Sequence, residues 1–269
     1  PKSSKRTGMF TEIDTQPMTY FNKGESNWFC YPCKVGALLC FVYFNSKYMS
    51  SALSMANLFE LATKEESAQK PDLVVIFGND DGNDDTNFYY DEANDIWVGC
   101  ISDNPRIEYF GYLKKMCLTL HNLAQMKKGW LPIHGAFVNI YLKDGTKKGI
   151  MLMGDSGAGK SESIEALKAA AGDMIREVEV VFDDMGTIHL EDGVPYGQGT
   201  EIGAFIRLDD LDPGTPYRDM DRSIFMAPEN PNSRMIQPAA PYRVVVHNHK
   251  IDLFAYANNY TNEFGLKKL

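Results

Sequence analysis

No apolar run in this sequence is long enough to cross a bilayer. The longest, Gly36 to Phe44, covers about half the residues that a spanning helix needs. The first residues also lack the charged-then-apolar order of a secretion signal, so the expectation is a soluble, cytoplasmic protein with no membrane partner. Basic charge is short as well: 27 Lys and Arg stand against 36 Asp and Glu, a formal net charge of -9. Such a balance gives no positive field for a polyanionic duplex, which argues against nucleic acid as a partner. Any phosphate must therefore be met by local groups. Cysteine is sparse and odd in number, at positions 30, 33, 40, 100 and 117, a usage that suits a reducing compartment rather than a disulfide framework. Cys30-Tyr31-Pro32-Cys33 has the spacing of a thioredoxin-type redox pair. That motif needs a preceding strand, whereas Asn22 to Asn27 reads as loop, so the two cysteines read as incidental.

What is present is an ordinary globular balance, 44% hydrophobic and 23% charged over 269 residues, enough for two modest domains. In residues 1 to about 105, short apolar runs such as Leu73 to Phe77 and Ile96 to Ile101 read as strands between polar loops. The acidic run Asn79 to Asp85 lacks the spaced ligands and closing Glu of a calcium loop and reads as a solvated turn. From Glu108 to Lys127, Phe110, Leu113, Cys117, Leu120, Leu123 and Met126 recur at helical spacing, which predicts an amphipathic helix. His134 to Leu142 and Gly149 to Met153 then flank Lys143-Asp144-Gly145-Thr146, a hairpin signal.

The second of these strands runs into Gly154-Asp155-Ser156-Gly157-Ala158-Gly159-Lys160-Ser161, followed by a helix-forming stretch that stops at Gly172. Strand, glycine-rich loop and helix are what a phosphate-binding loop requires. Backbone N–H groups cradle the phosphates, the helix N-terminus adds partial positive charge, Lys160 reaches the outer phosphates and Ser161 offers a hydroxyl to Mg2+. Downstream, Val178 to Phe182 reads as a strand ending in Asp183-Asp184, carboxylates suited to hold a metal or to accept a proton. Taken alone, Lys115, His134 and Arg234 are of types that are ordinarily structural or simply surface; Arg234 has the planar fork that clamps a phosphate.

Taken together, Lys114-Lys115, His134, the glycine-rich loop, Asp183-Asp184 and Glu229-Asn230-Pro231-Asn232-Ser233-Arg234 with Pro238 resemble the phosphoenolpyruvate carboxykinase superfamily, which includes the HPr kinases. The resemblance covers roughly residues 108 to 258. It implies that Lys115, His134 and Asp184 bind a transition metal, that Asp183 supports the metal site, and that Arg234 contacts the transferring phosphate. The loop spelling Gly-Asp-Ser-Gly-Ala-Gly-Lys-Ser-Glu and the pair His134-Gly135 are closer to HPr kinase, in which the matching histidine and aspartate bear on catalysis. Residues 1 to 105 show no match to the arginine segment with which carboxykinases hold the dicarboxylate. The family's nucleobase segment would fall beyond Leu269, so the chain reads as a fragment or a shortened member.

The expected fold is α/β: a mixed-sheet P-loop domain of carboxykinase type over residues 108–269, after a smaller α+β domain over residues 1–107. The expected activity is metal-dependent phosphoryl transfer from ATP or GTP with Mg2+ and Mn2+, converting oxaloacetate to phosphoenolpyruvate. Lys160, Arg234, Asp183 and His134 are the expected catalytic residues. A serine-type kinase and a non-catalytic nucleotide-binding domain are the rival readings.

Overall fold

The computed structural model describes residues 9–15, 27–79, 86–104, 110–154, 159, 160, 163, 166, 167, 172, 174–208, 223–226 and 234–257. Among them the chain is mixed α/β, mostly sheet with few helices. No helix among the described residues is long and apolar enough to cross a membrane. The chain forms two compact units. One comprises Pro1–Lys128 with Glu201–Pro238, the other Gly129–Thr200 with Ala239–Leu269.

The first unit opens with a seven-stranded sheet of β1 (Thr11–Glu12), β2 (Trp28–Val35), β3 (Leu38–Asn45), β4 (Glu60–Leu61), β5 (Leu73–Asn79), β6 (Thr86–Asp91) and β7 (Ile96–Ser102), in the order β1-β6-β7-β5-β3-β2-β4. β5 lies at the centre because Leu73-Val74-Val75-Ile76-Phe77 is apolar at every position. It is buried along its length and pairs parallel to β3 and β7, as a strand covered on both faces must be. β3 alternates buried and half-buried residues, so Leu38, Cys40, Val42 and Phe44 point into the core. A short helix α1 (Met49–Ser54) follows β3, and α2 (Phe110–Lys127) packs on β5 and β7.

The helix expected from periodicity is therefore present, with one difference in its stripe. Phe110, Leu113, Cys117 and Leu120 are buried, but Met126 is 58% exposed, and His121, Ala124 and Gln125 take the inner face of the last turns. The stripe drifts because the period of a straight helix is slightly longer than the spacing that the apolar residues follow. The sequence reading breaks the chain between 107 and 108. By contacts, α2 belongs with the first sheet and the first crossing comes after Lys128.

The cysteines show why the redox spacing is idle. Cys30 and Cys33 lie within β2, and Cys33 faces Cys40 across the β2–β3 ladder, with Cys117 near by in the core. Burial lifts the Cys33 thiol. Cys40 and Cys117 are held well up among neighbouring thiols, and even the exposed Cys30 is raised to about 11 by desolvation, partly offset by a hydrogen bond with Tyr43. A thiol that stays protonated is a poor nucleophile. Folded protein at pH 8 should accordingly shield Cys33, Cys40 and Cys117 from a disulfide reagent, whereas denatured protein should release all five thiols at once. Rapid labelling of three or more in the native state would contradict this packing.

The second unit is built on β8 (Leu131–Leu142), β9 (Lys147–Met153), β10 (Ile175–Phe182), β11 (Met185–Glu191) and β12 (Val194–Gly199). β8 and β9 form the expected hairpin around Asp144-Gly145, with Asp144 Oδ1 accepting from the Thr146 N–H at 2.8 Å. Lys160, Ser163, Ala166 and Leu167 are helical, and Leu167 packs with Ala136, Val138 and Ile140 on one face of β8. Gly172, where the sequence predicts the helix to stop, sits in a turn with φ at 44°.

The chain then returns to the first unit as β13 (Gly203–Arg207), β14 (Ile224–Met226) and β15 (Arg234–Pro238), a three-stranded antiparallel sheet with β15 in the middle. It finally re-enters the second unit with a short helix α3 (Tyr242–Val245), β16 (His249–Lys250) and β17 (Leu253–Tyr256), the last parallel to β9. The order of this sheet is β16-β12-β11-β8-β9-β17, with β10 also on β8. Its second face buries Phe137, Met151, Val181, Phe182, Val244 and Ile251. Each such side chain removed from water contributes about 1.5–3 kcal/mol, which fixes β8 as the rigid axis of the unit.

Candidate active site

β8 is long enough to take two partners in succession along one edge. Phe182 at the end of β10 pairs with Phe137, and Met185 at the start of β11 pairs with His134. β10 and β11 thus run as one line along β8, and Asp183-Asp184 is the bend that interrupts it. The expected strand end is real, but it is an irregularity inside a longer strand, a place where side chains are re-aimed. At this bend the Gly135 N–H donates to the Asp184 carbonyl at 2.9 Å, and His134 Nε2 lies 3.2 Å from Asp184 Oδ1.

On its other edge β8 pairs Gly135 with Met153, the last residue of β9. His134 is one residue beyond Gly135, and Gly154 is one beyond Met153. The same register therefore brings the histidine to the end of the sheet where β9 empties into the glycine-rich loop. Gly135 is needed there: a Cβ would sit 2.7 Å from the Leu152 carbonyl oxygen, so any larger residue would push β9 away from β8.

Lys160 Nζ donates to the Gly154 carbonyl at 2.9 Å, folding the loop back on itself, and the residue is only 8% exposed. The Ser163 N–H donates to the Gly159 carbonyl at 2.9 Å, closing the first helical turn. Asp155, Ser156, Gly157, Ala158 and Ser161 lie outside the described residues.

The His134–Asp184 contact does not read as a stabilising device. The two side chains are 44% and 42% exposed, and pairs this open contribute at most about 1 kcal/mol. An imidazole nitrogen and a carboxylate oxygen side by side suit two roles: ligands for a borderline divalent cation, or a base and its orienting partner. Among the described residues no group of three or more His, Cys, Asp or Glu converges in a metal-holding arrangement. At this bend the described residues thus offer two such ligands.

Lys115 and Arg234 belong to the first unit. Lys115 is exposed on α2, whereas its neighbour Lys114 is 6% exposed, with Nζ 3.0 Å from Glu201 Oε1 and 5.4 Å from the centre of the Phe205 ring. Opposite charges this deeply buried attract strongly, so charge holds this pair together at 3.0 Å. The Arg234 guanidinium also lies 5.4 Å from the Phe205 ring.

The sequence reading favoured Lys115 and passed over Lys114, Glu201 and Phe205. A signal for Lys114 did exist: it is four residues after Phe110 and three before Cys117, squarely on the apolar stripe. A lysine there must find a partner inside.

A scan against protein-family models returns no match for this chain, and neither does a search of curated proteins.

Proposed function

We propose that the chain is a metal-dependent phosphoryl transferase that takes the γ-phosphoryl group of ATP or GTP, of the phosphoenolpyruvate carboxykinase type. What supports this reading is one juxtaposition: His134, Asp184, Gly154 and Lys160 stand at one end of one sheet, through the registers of β8 with β9 and β11 and the bond from Lys160 to Gly154. In the proposed reaction the oxaloacetate carboxylate leaves as CO2. The enolate oxygen left behind attacks the γ-phosphorus in line, and ADP departs. Lys160 neutralises the charge that spreads over the phosphoryl oxygens, and Arg234 is assigned a contact with the transferring phosphate by the resemblance alone. His134 and Asp184 would hold a transition-metal ion, with Lys115 added by resemblance, and Ser161 of the loop would hold Mg2+. These ions would supply charge neutralisation beside the phosphates. A cytoplasmic setting, with no nucleic acid or membrane partner, belongs to the same proposal.

A second reading rests on the hydrogen-bonding distance between His134 and Asp184. A carboxylate at this bend is equipped to take the proton of an attacking hydroxyl, as an HPr kinase-like serine kinase needs, with Asp183 as the base and the His134–Asp184 pair next to it in sequence. Two assays separate the readings. One is a coupled assay for oxaloacetate-dependent turnover with Mg2+ and Mn2+; the other is transfer from labelled ATP to a panel of hydroxyl acceptors. In whichever assay is positive, Asp184→Asn should lower kcat about 100-fold while nucleotide affinity stays within a few-fold. Nucleotide binding with silence in both assays would leave a non-catalytic nucleotide-binding domain.

A further inference from the structure

β11 buries two polar atoms that nothing among the described residues satisfies, and both face the same way. Met185, opposite His134, and then Thr187 and His189 alternate with Gly186 and Ile188, which turn to the core around Phe137 and Phe182. Thr187 and His189 therefore share the face of His134, on which Leu167 packs against Ala136, Val138 and Ile140. Thr187 is 1% exposed and His189 8%, and neither Thr187 Oγ1 nor His189 Nδ1 has a hydrogen-bond partner among the described residues. A buried polar atom without a partner is costly, and a valine would fill the place of Thr187 without that cost.

The imidazole of His189 is otherwise firmly held. Its Nε2 lies 3.0 Å from Glu191 Oε1, which also accepts from the Asn248 amide at 2.5 Å. The Trp130 indole stacks on the ring at 3.9 Å and 10°, and Tyr196, opposite His189 on β12, stacks more loosely at 6.0 Å. A carboxylate beside Nε2 keeps the proton of the neutral ring there, which leaves Nδ1 as an acceptor. Thr187, one pleat away, offers a hydroxyl that donates or accepts. A ligand hydroxyl satisfies both with one oxygen, donating to His189 and accepting from Thr187.

We infer that Thr187 and His189 hold a hydroxyl of the phosphoryl acceptor, and that the acceptor is a small polyol or sugar. The two residues stand roughly 7 and 13 Å along β11 from Met185, too far for the oxygen that reacts at the Asp183-Asp184 bend but within the span of one sugar-sized molecule. The hydroxyl bound here is thus a second one. Both atoms are closed to water, so a polypeptide acceptor does not reach them, whereas a small molecule enters as the Trp130 indole lifts from His189. The inference rests on the hydroxyl-kinase reading. There the reacting hydroxyl bonds to the γ-phosphorus, the bond from that phosphorus to the ADP oxygen breaks, and the proton passes to Asp183.

The test uses the full chain with nitrogen-15-labelled histidine and no nucleotide, titrated with glycerol, ribose, glucose and myo-inositol. The Nδ1 resonance of His189, identified by its loss in His189→Gln, should shift with at least one of these probes. Thr187→Val should weaken binding of that probe about fivefold or more, while its melting temperature stays level or rises because an unsatisfied hydroxyl is gone. A resonance indifferent to every probe would overturn the inference, as would one moved by oxalate alone, which would mark a carboxylate site. So would undiminished affinity in Thr187→Val, or a fall in its melting temperature, which would show the hydroxyl already bonded within the fold. Transfer from labelled ATP is measured separately. Polyol binding through Thr187 and His189 without transfer sinks the kinase reading alone, and transfer to a polyol whose affinity is indifferent to both residues sinks the hydroxyl site alone.

Discussion

Replacing Lys160 with Ala should lower kcat/KM for nucleotide-dependent turnover by about a thousandfold or more, equivalent to about 4 kcal/mol of transition-state stabilisation. The expectation follows from where its ammonium is held. It is buried at the mouth of the loop, bonded to the Gly154 carbonyl, in a setting where water screens it poorly. A phosphate entering the loop exchanges that carbonyl for an anionic oxygen, and the interaction grows as negative charge shifts onto the transferring group. Both KM and kcat should therefore worsen. Lys160→Arg should recover little, because a bulky planar fork does not replace a compact ammonium that acts as a point charge. Loss of the charged hydrogen bond to the Gly154 carbonyl costs about 1.5–3 kcal/mol, so a melting curve of the variant accompanies the assays. Stopped-flow binding of a fluorescent ATP analogue and steady-state turnover check the two halves. If Lys160→Ala kept kcat/KM within a few-fold of the wild type, the glycine-rich segment would be a turn with no phosphate to hold.

How far the sequence announced this site differs from one residue to the next, for physical reasons. The β8–β9 hairpin and the strand entering the loop were legible because Asp-Gly turn chemistry and apolar alternation act over a few residues. α2 was legible because its spacing repeats over several turns. Asp184 was legible as a strand-end carboxylate after the loop, whereas His134 gained its role only through resemblance, since their meeting depends on a register between strands some fifty positions apart. What sets that register is the pairing of Phe182 with Phe137 and of Met185 with His134, and no local pattern encodes it. Lys114 is different: its place on the buried stripe could have been read from the helical period, but the basic doublet drew attention to its exposed neighbour. The division into units was hidden because the chain crosses between them after Lys128, after Thr200 and after Pro238, and none of these points carries a linker composition.

Lowering the pH from 7.5 to 5 should cost the folded protein about 2 kcal/mol through one side chain, His121 on α2. The residue is 1% exposed, and burial drives its pKa from 6.5 down to about 4, with Lys128 adding to the effect and a hydrogen bond to Asn122 opposing it. Its surroundings favour the neutral ring. With the proton on Nδ1, the ring donates to Asn122 Oδ1 at 3.5 Å and Nε2 accepts from the Gln125 amide at 3.4 Å, contacts that a charged ring could keep only in part. The unfolded chain takes up a proton near pH 6.5 and the folded chain does not until about 4, so stability is complete above 6.5 and falls as the pH drops through that window. The full loss is about 3 kcal/mol below pH 4. His249 acts in the same direction, its pKa lowered by burial between the Asn139 amide and the Val244 carbonyl. Glu179 and Asp252, whose pKa values are lowered, add their losses at more acid pH, as they take up protons. His121→Gln keeps an amide oxygen for Gln125 and cannot titrate. Urea unfolding at pH 7.5 and pH 5 should show the variant regaining about 2 kcal/mol relative to wild type at the lower pH, with a residual slope from His249. Equal pH dependence in the two proteins would mean that His121 takes up its proton in the folded state as readily as in the unfolded one.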